Sequence, residues 1–227
     1  MNGTSLRATS LGGFSSSRLS IAGLAVIVLS PAVAAVIGYE SDWSAGATAA
    51  VALAPMWAVI SVQVLSINRV LGGWMGFFAL FTLPQVGHCG EHVGQMAQVH
   101  WLDAAPPAAH GAVGALDVEW VHFIWNAWVL AGVGMLLFRF RRNPWLWASV
   151  PIAVWHLAEH LVIMIRFWDT GKAGDPGLLA MGGSLGGGTG LIRPDLHFIY
   201  NVLMTAPLLM ALVHQLRRCR EEKGEPG

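Results

Sequence analysis

Two stretches of this 227-residue chain place ionisable side chains among apolar neighbours: residues 87–96 read GHCGEHVGQM and residues 154–164 read VWHLAEHLVIM. Each holds a His-x-x-Glu-His motif, formed by His88, Glu91 and His92 in the first and by His156, Glu159 and His160 in the second. In a helix, positions i, i+3 and i+4 share a face, so two imidazoles one turn apart can chelate one ion beside a carboxylate. A second echo follows each motif, HFIWN from His122 and HFIYN from His197. A histidine from a neighbouring helix completes three nitrogen ligands. The expected sets are His88, His92 and His122 for one metal, and His156, His160 and His197 for another. Glu91 and Glu159 are the candidate bridging ligands and catalytic carboxylates, by the logic that builds di-metal sites in helical bundles. Asn126 and Asn201 lie one turn beyond His122 and His197, where they suit hydrogen bonds to the ligands or to substrate.

The elements that must carry these groups follow from composition. The chain is 55% apolar and 11% charged, where a soluble domain of this length carries about 25% charged residues. Apolar runs long enough to span a bilayer, at about 20 residues each, occur near 19–38, 47–67, 72–98, 118–138, 145–167 and 195–215. An all-α integral membrane protein with about six transmembrane helices is expected. Pro84 and Gly87 interrupt the third run, a tolerable kink where neighbours satisfy the freed carbonyls. "SPAVAA", 30–35, has the form of a signal-peptidase site, and cleavage there would remove helix 1 without changing the orientation of the others.

Basic residues set that orientation. Arg7, Arg18, Arg69, Arg139, Arg141, Arg142, Arg217, Arg218, Arg220 and Lys223 fall on one side. Arg166, Lys172 and Arg193 fall on the other, diluted by Glu40, Asp42, Asp103, Asp117, Asp169, Asp175 and Asp195. Both termini are therefore expected in the cytoplasm and the chain in the cell (plasma) membrane as a multi-pass protein. Zero net charge argues against nucleic acid as a partner.

The ordered echoes suggest an internal duplication of a helix pair, related by an axis along the membrane normal. The expected organisation is an N-terminal pair of helices over 1–70, repeat 1 over 71–143, repeat 2 over 144–218 and a cytoplasmic tail over 219–227. Helices 3–6 would form a four-helix metal-binding bundle. In helices 3 and 5 the motifs lie roughly eight to ten residues before the exit, or ~12–15 Å at a rise of ~1.5 Å per residue. His122 and His197 fall in the first turns of helices 4 and 6, so six histidines and two glutamates should meet at one depth, toward the outer side. Membrane histidines and glutamates also serve as hydrogen-bonding glue between helices, but that role does not require eight of them at one level in duplicated order.

Other features read more plainly. Cys89 is rotated about 100° from His88 and is expected to pack. His100 and His110 in the outer loop, and His214 near the cytoplasmic end, break the repeat and are expected at the surface. Trp101, Trp120, Trp145, Trp147 and Trp168 suit an interfacial belt. The glycine-rich 174–190 lacks the lysine of a phosphate loop and suggests a flexible outer loop over the histidine layer.

Three chemistries suit the histidines. A pair of non-haem metal ions would make the chain a membrane oxidoreductase of oxygenase or hydroxylase type. Iron is favoured by the carboxylates, with copper and zinc also suited to imidazole. That chemistry is similar to that of the membrane hydroxylases and desaturases with histidine boxes, whose HxxHH pairs are absent here. The partners would be the lipid bilayer, an electron donor such as a quinol or a redox protein, and a hydrophobic or small uncharged substrate. The alternatives are haem b held between histidines, as in a membrane cytochrome, and an intramembrane zinc hydrolase with a glutamate as general base. A metal or proton transporter is disfavoured because the charged layer does not continue to the cytoplasmic half.

Overall fold

The computed structural model describes residues 19–114, 116 and 118–224, so Arg7, Arg18 and Asp117 lie outside the described residues. Six long helices make up the chain: α1 (Ile21–Glu40), α2 (Ala45–Leu71), α3 (Gly73–His100), α4 (Val118–Arg139), α5 (Pro144–Thr170) and α6 (Arg193–Glu221). No strand occurs among the described residues. Local chemistry explains the boundaries. Ser20 and Ser44 cap α1 and α2 by accepting from the N–H groups of Gly23 and Ala47. A single residue, Gly72, separates α2 from α3; its φ of 89° breaks the helix where a side chain would be strained. Asn143 caps α5 with Pro144 at its first position, and its amide donates to the Ala211 carbonyl at 2.8 Å.

Helices α1 and α2 pack on each other and on α3, outside the remaining helices. Beyond α1 and α2, α3 packs on α6; α5 packs on α4 and less extensively on α6, while α3 and α4 meet over only a short stretch. The helices that carry the two His-x-x-Glu-His motifs, α3 and α5, thus lie against α6 and α4 respectively. Pro84 lies inside α3, which runs through it as a helix of 28 residues.

The molecule is polar inside and apolar outside. Gln85, His88, Glu91, His92, His122, Asn126, His156, Glu159, His160, His197 and Asn201 are all buried, whereas Ile124, Phe138, Leu65 and Leu203 are exposed. A water-soluble domain buries such apolar side chains and leaves polar groups in solvent. Five helices, α1, α2, α4, α5 and α6, are long and apolar enough to cross a membrane. α3 is not one of them, because one of its faces is glutamine, histidine and glutamate, and its neighbours enclose it.

Close approach of α1 to α3 depends on glycine. A Cβ at Gly90 would collide with the Val28 carbonyl oxygen and lie 2.9 Å from its carbon, and one at Gly94 would lie 2.7 Å from the Ala35 Cβ. Small residues at such crossings let backbones meet in lipid, where packing replaces the hydrophobic effect as the driving force. Gly90→Val should therefore destabilise the protein by about 1–3 kcal/mol, read as a lower unfolding temperature in detergent. Gly134→Ala, which meets nothing within 4 Å, should leave that temperature unchanged or slightly raised.

Candidate metal centre

The sequence-predicted histidines converge in two groups. His88, His92 and His122 each place one ring nitrogen within 4.8 Å of the others, and so do His156, His160 and His197. The first two residues of each group come from one helix face, α3 or α5, and the third from the start of α4 or α6. The groups abut, with the His122 and His160 rings stacked at 5.7 Å between centroids. All six are buried, at 1–6% exposure.

Ring geometry narrows what the groups can do. His88 Nε2 lies 3.4 Å from His92 Nε2. Two nitrogens bound to one tetrahedral ion at ~2.0–2.1 Å stand about 3.4 Å apart. The Nδ1 of His88 lies 3.4 Å from Glu91 Oε2, so its proton belongs toward the carboxylate and its Nε2 is left with a lone pair. In the other group, His197 Nδ1 donates to the Arg193 carbonyl at 2.9 Å, which again leaves Nε2 as the ligand atom. Imidazoles oriented from behind in this way are the usual form of metal-binding histidine.

The remaining nitrogens have few protein partners. His92 Nδ1, both nitrogens of His156 and His160, His197 Nε2 and Glu159 Oε2 are buried with no hydrogen-bond partner. At about 1–3 kcal/mol for each unsatisfied buried group, the total is on the order of 10 kcal/mol, comparable to the whole stability of a typical domain. Cations at the two groups would satisfy several of these atoms at once.

The glutamates are held from the outer loops. Glu91 Oε1 accepts from the backbone N–H groups of Val113 and Gly114, both at 2.7 Å. Glu159 Oε1 accepts from the Leu178 N–H at 2.9 Å. Gly111 and Gly177, both at positive φ, bring each loop against its glutamate where a side chain would not fit. The sequence nominates these carboxylates as bridges, whereas here Glu91 stands behind His88 with both oxygens engaged, and only Glu159 Oε2 is unengaged. Asn126 and Asn201 make matching bonds, each donating to the carbonyl of the histidine four residues before it at 2.9 Å. Asn201 also accepts from Gln85 Nε2 at 3.1 Å.

The glycine-rich 174–190 is hydrogen-bonded throughout rather than slack, with bonds such as Leu185 N to the Leu178 carbonyl and Met181 N to the Leu191 carbonyl. His100 is exposed and bonds Asp195 at 2.8 Å. His110 is exposed but lines the mouth of a cavity of about 170 Å³ whose floor includes His92, His122 and His197. His214 lies far along α6, half-buried.

Sequence reasoning missed four residues of this region. Gln85 and Gln95 continue the α3 face of His88 and His92 at helical spacing, a signal present in the sequence but masked by the histidines. Glu119 and Arg193, in the first turns of α4 and α6, form a two-bond ion pair, both bonds 2.7 Å, at the cavity wall. Glu119 also accepts from the Gly174 N–H at 2.8 Å.

A flat macrocycle fits poorly here. Haem takes axial histidines from opposite faces, whereas three rings converge on each point of this site, and the cavity beside them is smaller than the pockets of drug-sized ligands. No family model, curated protein or solved structure matches this chain.

The Glu119–Arg193 pair is enclosed, with side-chain exposures of 1% and 16%. Removing one partner leaves the other charge uncompensated. Glu119→Gln should cost about 3 kcal/mol, measured by thermal unfolding in detergent, and Glu119→Gln/Arg193→Met should recover part of the loss.

Proposed function

We propose that this chain is an integral-membrane metalloprotein that holds two ions, one on His88, His92 and His122 and one on His156, His160 and His197, and that it is a metal-dependent oxidoreductase of oxygenase type. The observation that carries the reading is the convergence of six buried imidazoles as two abutting triads, in which ring nitrogens of His92, His156, His160 and His197 are buried with no hydrogen-bond partner. Structural histidines in a helix bundle find hydrogen-bond partners; these face each other instead. Imidazole-rich coordination suits iron, copper and zinc, and paired ions with nearby carboxylates suit redox work, with iron first among them. Such an ion pair would supply the redox chemistry, drawing electrons from a quinol or a redox protein.

The chain's own residues have separate parts in this reading. Glu91 orients His88 through Nδ1. Glu159, with its second oxygen unengaged, is the better carboxylate to ligate an ion or to carry a proton. Asn126 and Asn201 hold the backbone turns that present His122 and His197. The matching loop-to-glutamate and asparagine bonds support a duplication of a helix pair over 71–143 and 144–218, with 1–70 added outside. The distribution of arginine supports cytoplasmic termini in a plasma membrane. Arg69, Arg139, Arg141, Arg142, Arg217, Arg218, Arg220 and Lys223 mark the end of the bundle away from the histidines. At the histidine end, Arg166 and Arg193 are neutralised by Asp175 and Glu119. The centre would then open to the outer side.

Metal analysis and absorption spectroscopy of the detergent-purified protein test this reading. About two ions per chain are expected without a Soret band. His92→Ala and His160→Ala should each lower the content by about one ion, while His214→Ala should leave it unchanged. A Soret band, a single zinc, or full metal content in both histidine variants would overturn the dinuclear reading. Glu91→Gln and Glu159→Gln separate the carboxylate roles: both should lose activity, and Glu159→Gln should lose more metal than Glu91→Gln.

A further inference from the structure

The two His-x-x-Glu-His helices differ in chemistry at the position seven residues beyond the first histidine of each motif. Seven residues after His88, on the same face of α3, stands Gln95; seven residues after His156 on α5 stands Ile163. Both are buried, at 5% and 1% exposure. Both pack under a loop glycine: a Cβ at Gly111 would lie 3.2 Å from Gln95 Cγ, and one at Gly177 3.1 Å from Ile163 Cδ1. Only Gln95 lines the cavity, together with His92, His122, His197 and Arg193. Arg193 is committed to Glu119 and the Arg193 carbonyl to His197. Among the described residues the Gln95 amide makes no hydrogen bond, although a buried amide normally finds partners for most of its donors and acceptors.

The cavity also bounds what can enter. Its volume is about 170 Å³, and an apolar protein cavity of about 150 Å³ accommodates benzene. Its upper rim is loop: Pro106, Pro107 and Ala109 from one connection, Ala173 and Gly174 from the other. An acyl chain reaching from lipid would need a side opening between helices. This space opens at the loop end.

Resting on the metal reading above, we propose that this cavity is a ligand chamber of the centre, that it admits from the loop end a small molecule of about benzene's size, and that the Gln95 amide orients it by hydrogen bonding. The substrate class is then a small uncharged or singly charged molecule bearing a hydrogen-bonding atom, not a lipid chain. The chamber would then touch both triads, through His92 and His122 of one and His197 of the other, with its amide supplied from α3 alone.

Azide and 4-phenylimidazole, added to the cobalt(II)-loaded full chain and followed by the visible spectrum, test the chamber. Azide should shift the wild-type spectrum, and 4-phenylimidazole, too large for the space, should not. Gln95→Leu should keep its metal and bind azide about three- to tenfold more weakly, the effect of one neutral hydrogen bond. Equal azide affinity in wild type and Gln95→Leu, or a spectral shift with 4-phenylimidazole, would overturn the proposal while leaving the metal reading intact. A second arm needs no metal: Gln95→Cys, in a background carrying Cys89→Ala and Cys219→Ser, is exposed to methyl methanethiosulfonate. Modification that is suppressed by Ala173→Trp, at the exposed rim, supports entry through the loop end. Absence of modification, or modification indifferent to that plug, overturns it even if no metal binds.

Discussion

Six imidazoles and two carboxylates at one level of an apolar bundle impose a condition on everything around them: each polar atom must be satisfied without bulk water. A lipid-facing scaffold cannot supply solvent there, so the protein brings backbone to the site. The connections at Val113–Gly114 and at Leu178 turn inward far enough for their N–H groups to reach Glu91 and Glu159. The left-handed conformations of Gly111 and Gly177 permit that descent. Irregular backbone at membrane depth is tolerated where it is enclosed by protein, and here the enclosed backbone serves as a set of donors. The glutamates thereby link loops to ligands, since the carboxylate that receives the Val113 and Gly114 N–H groups also faces His88.

The two halves share this device but are interlocked rather than side by side. α3 lies on α6 and α4 on α5, so each histidine triad packs against helices from beyond its own stretch of sequence. Glu119 and Arg193 repeat that crossing above the histidines, tying the first turn of α4 to the first turn of α6. Because the Arg193 carbonyl also takes the His197 proton, one residue sets both the separation of two helices and the tautomer of a ring. The pair lies at the cavity wall, so the separation of α4 and α6 also shapes the space above His92 and His122.

The six helices and the two histidine triads were legible in the sequence because they rest on short-range rules: an apolar run of bilayer length, and residues three and four apart on one helical face. What the sequence did not disclose depends on long-range placement. Nothing local marks Glu119 as the partner of Arg193, 74 residues away. The type and spacing of Glu91 mark it as a carboxylate of the histidine layer, but not the loop 22 residues further on whose N–H it accepts. Glycine content suggested a flexible segment at 174–190, while its positive-φ turns are what allow its compact hydrogen bonding. His110 looked like a surface residue and is exposed, but the fold brings it to the mouth of the cavity.

The polar face of α3 has a consequence for how the protein is made. Five helices are apolar enough to partition into a bilayer by themselves, and α3 is not among them. Its glycine stripe fits α1, and Gly87 packs against Met56 of α2. Both partners precede it in the chain, so by the time α3 leaves the ribosome its docking surface is already in the membrane. Insertion of α3 would then depend on α1 and α2 offering it a surface that lipid does not, and the order of synthesis would become part of the folding code.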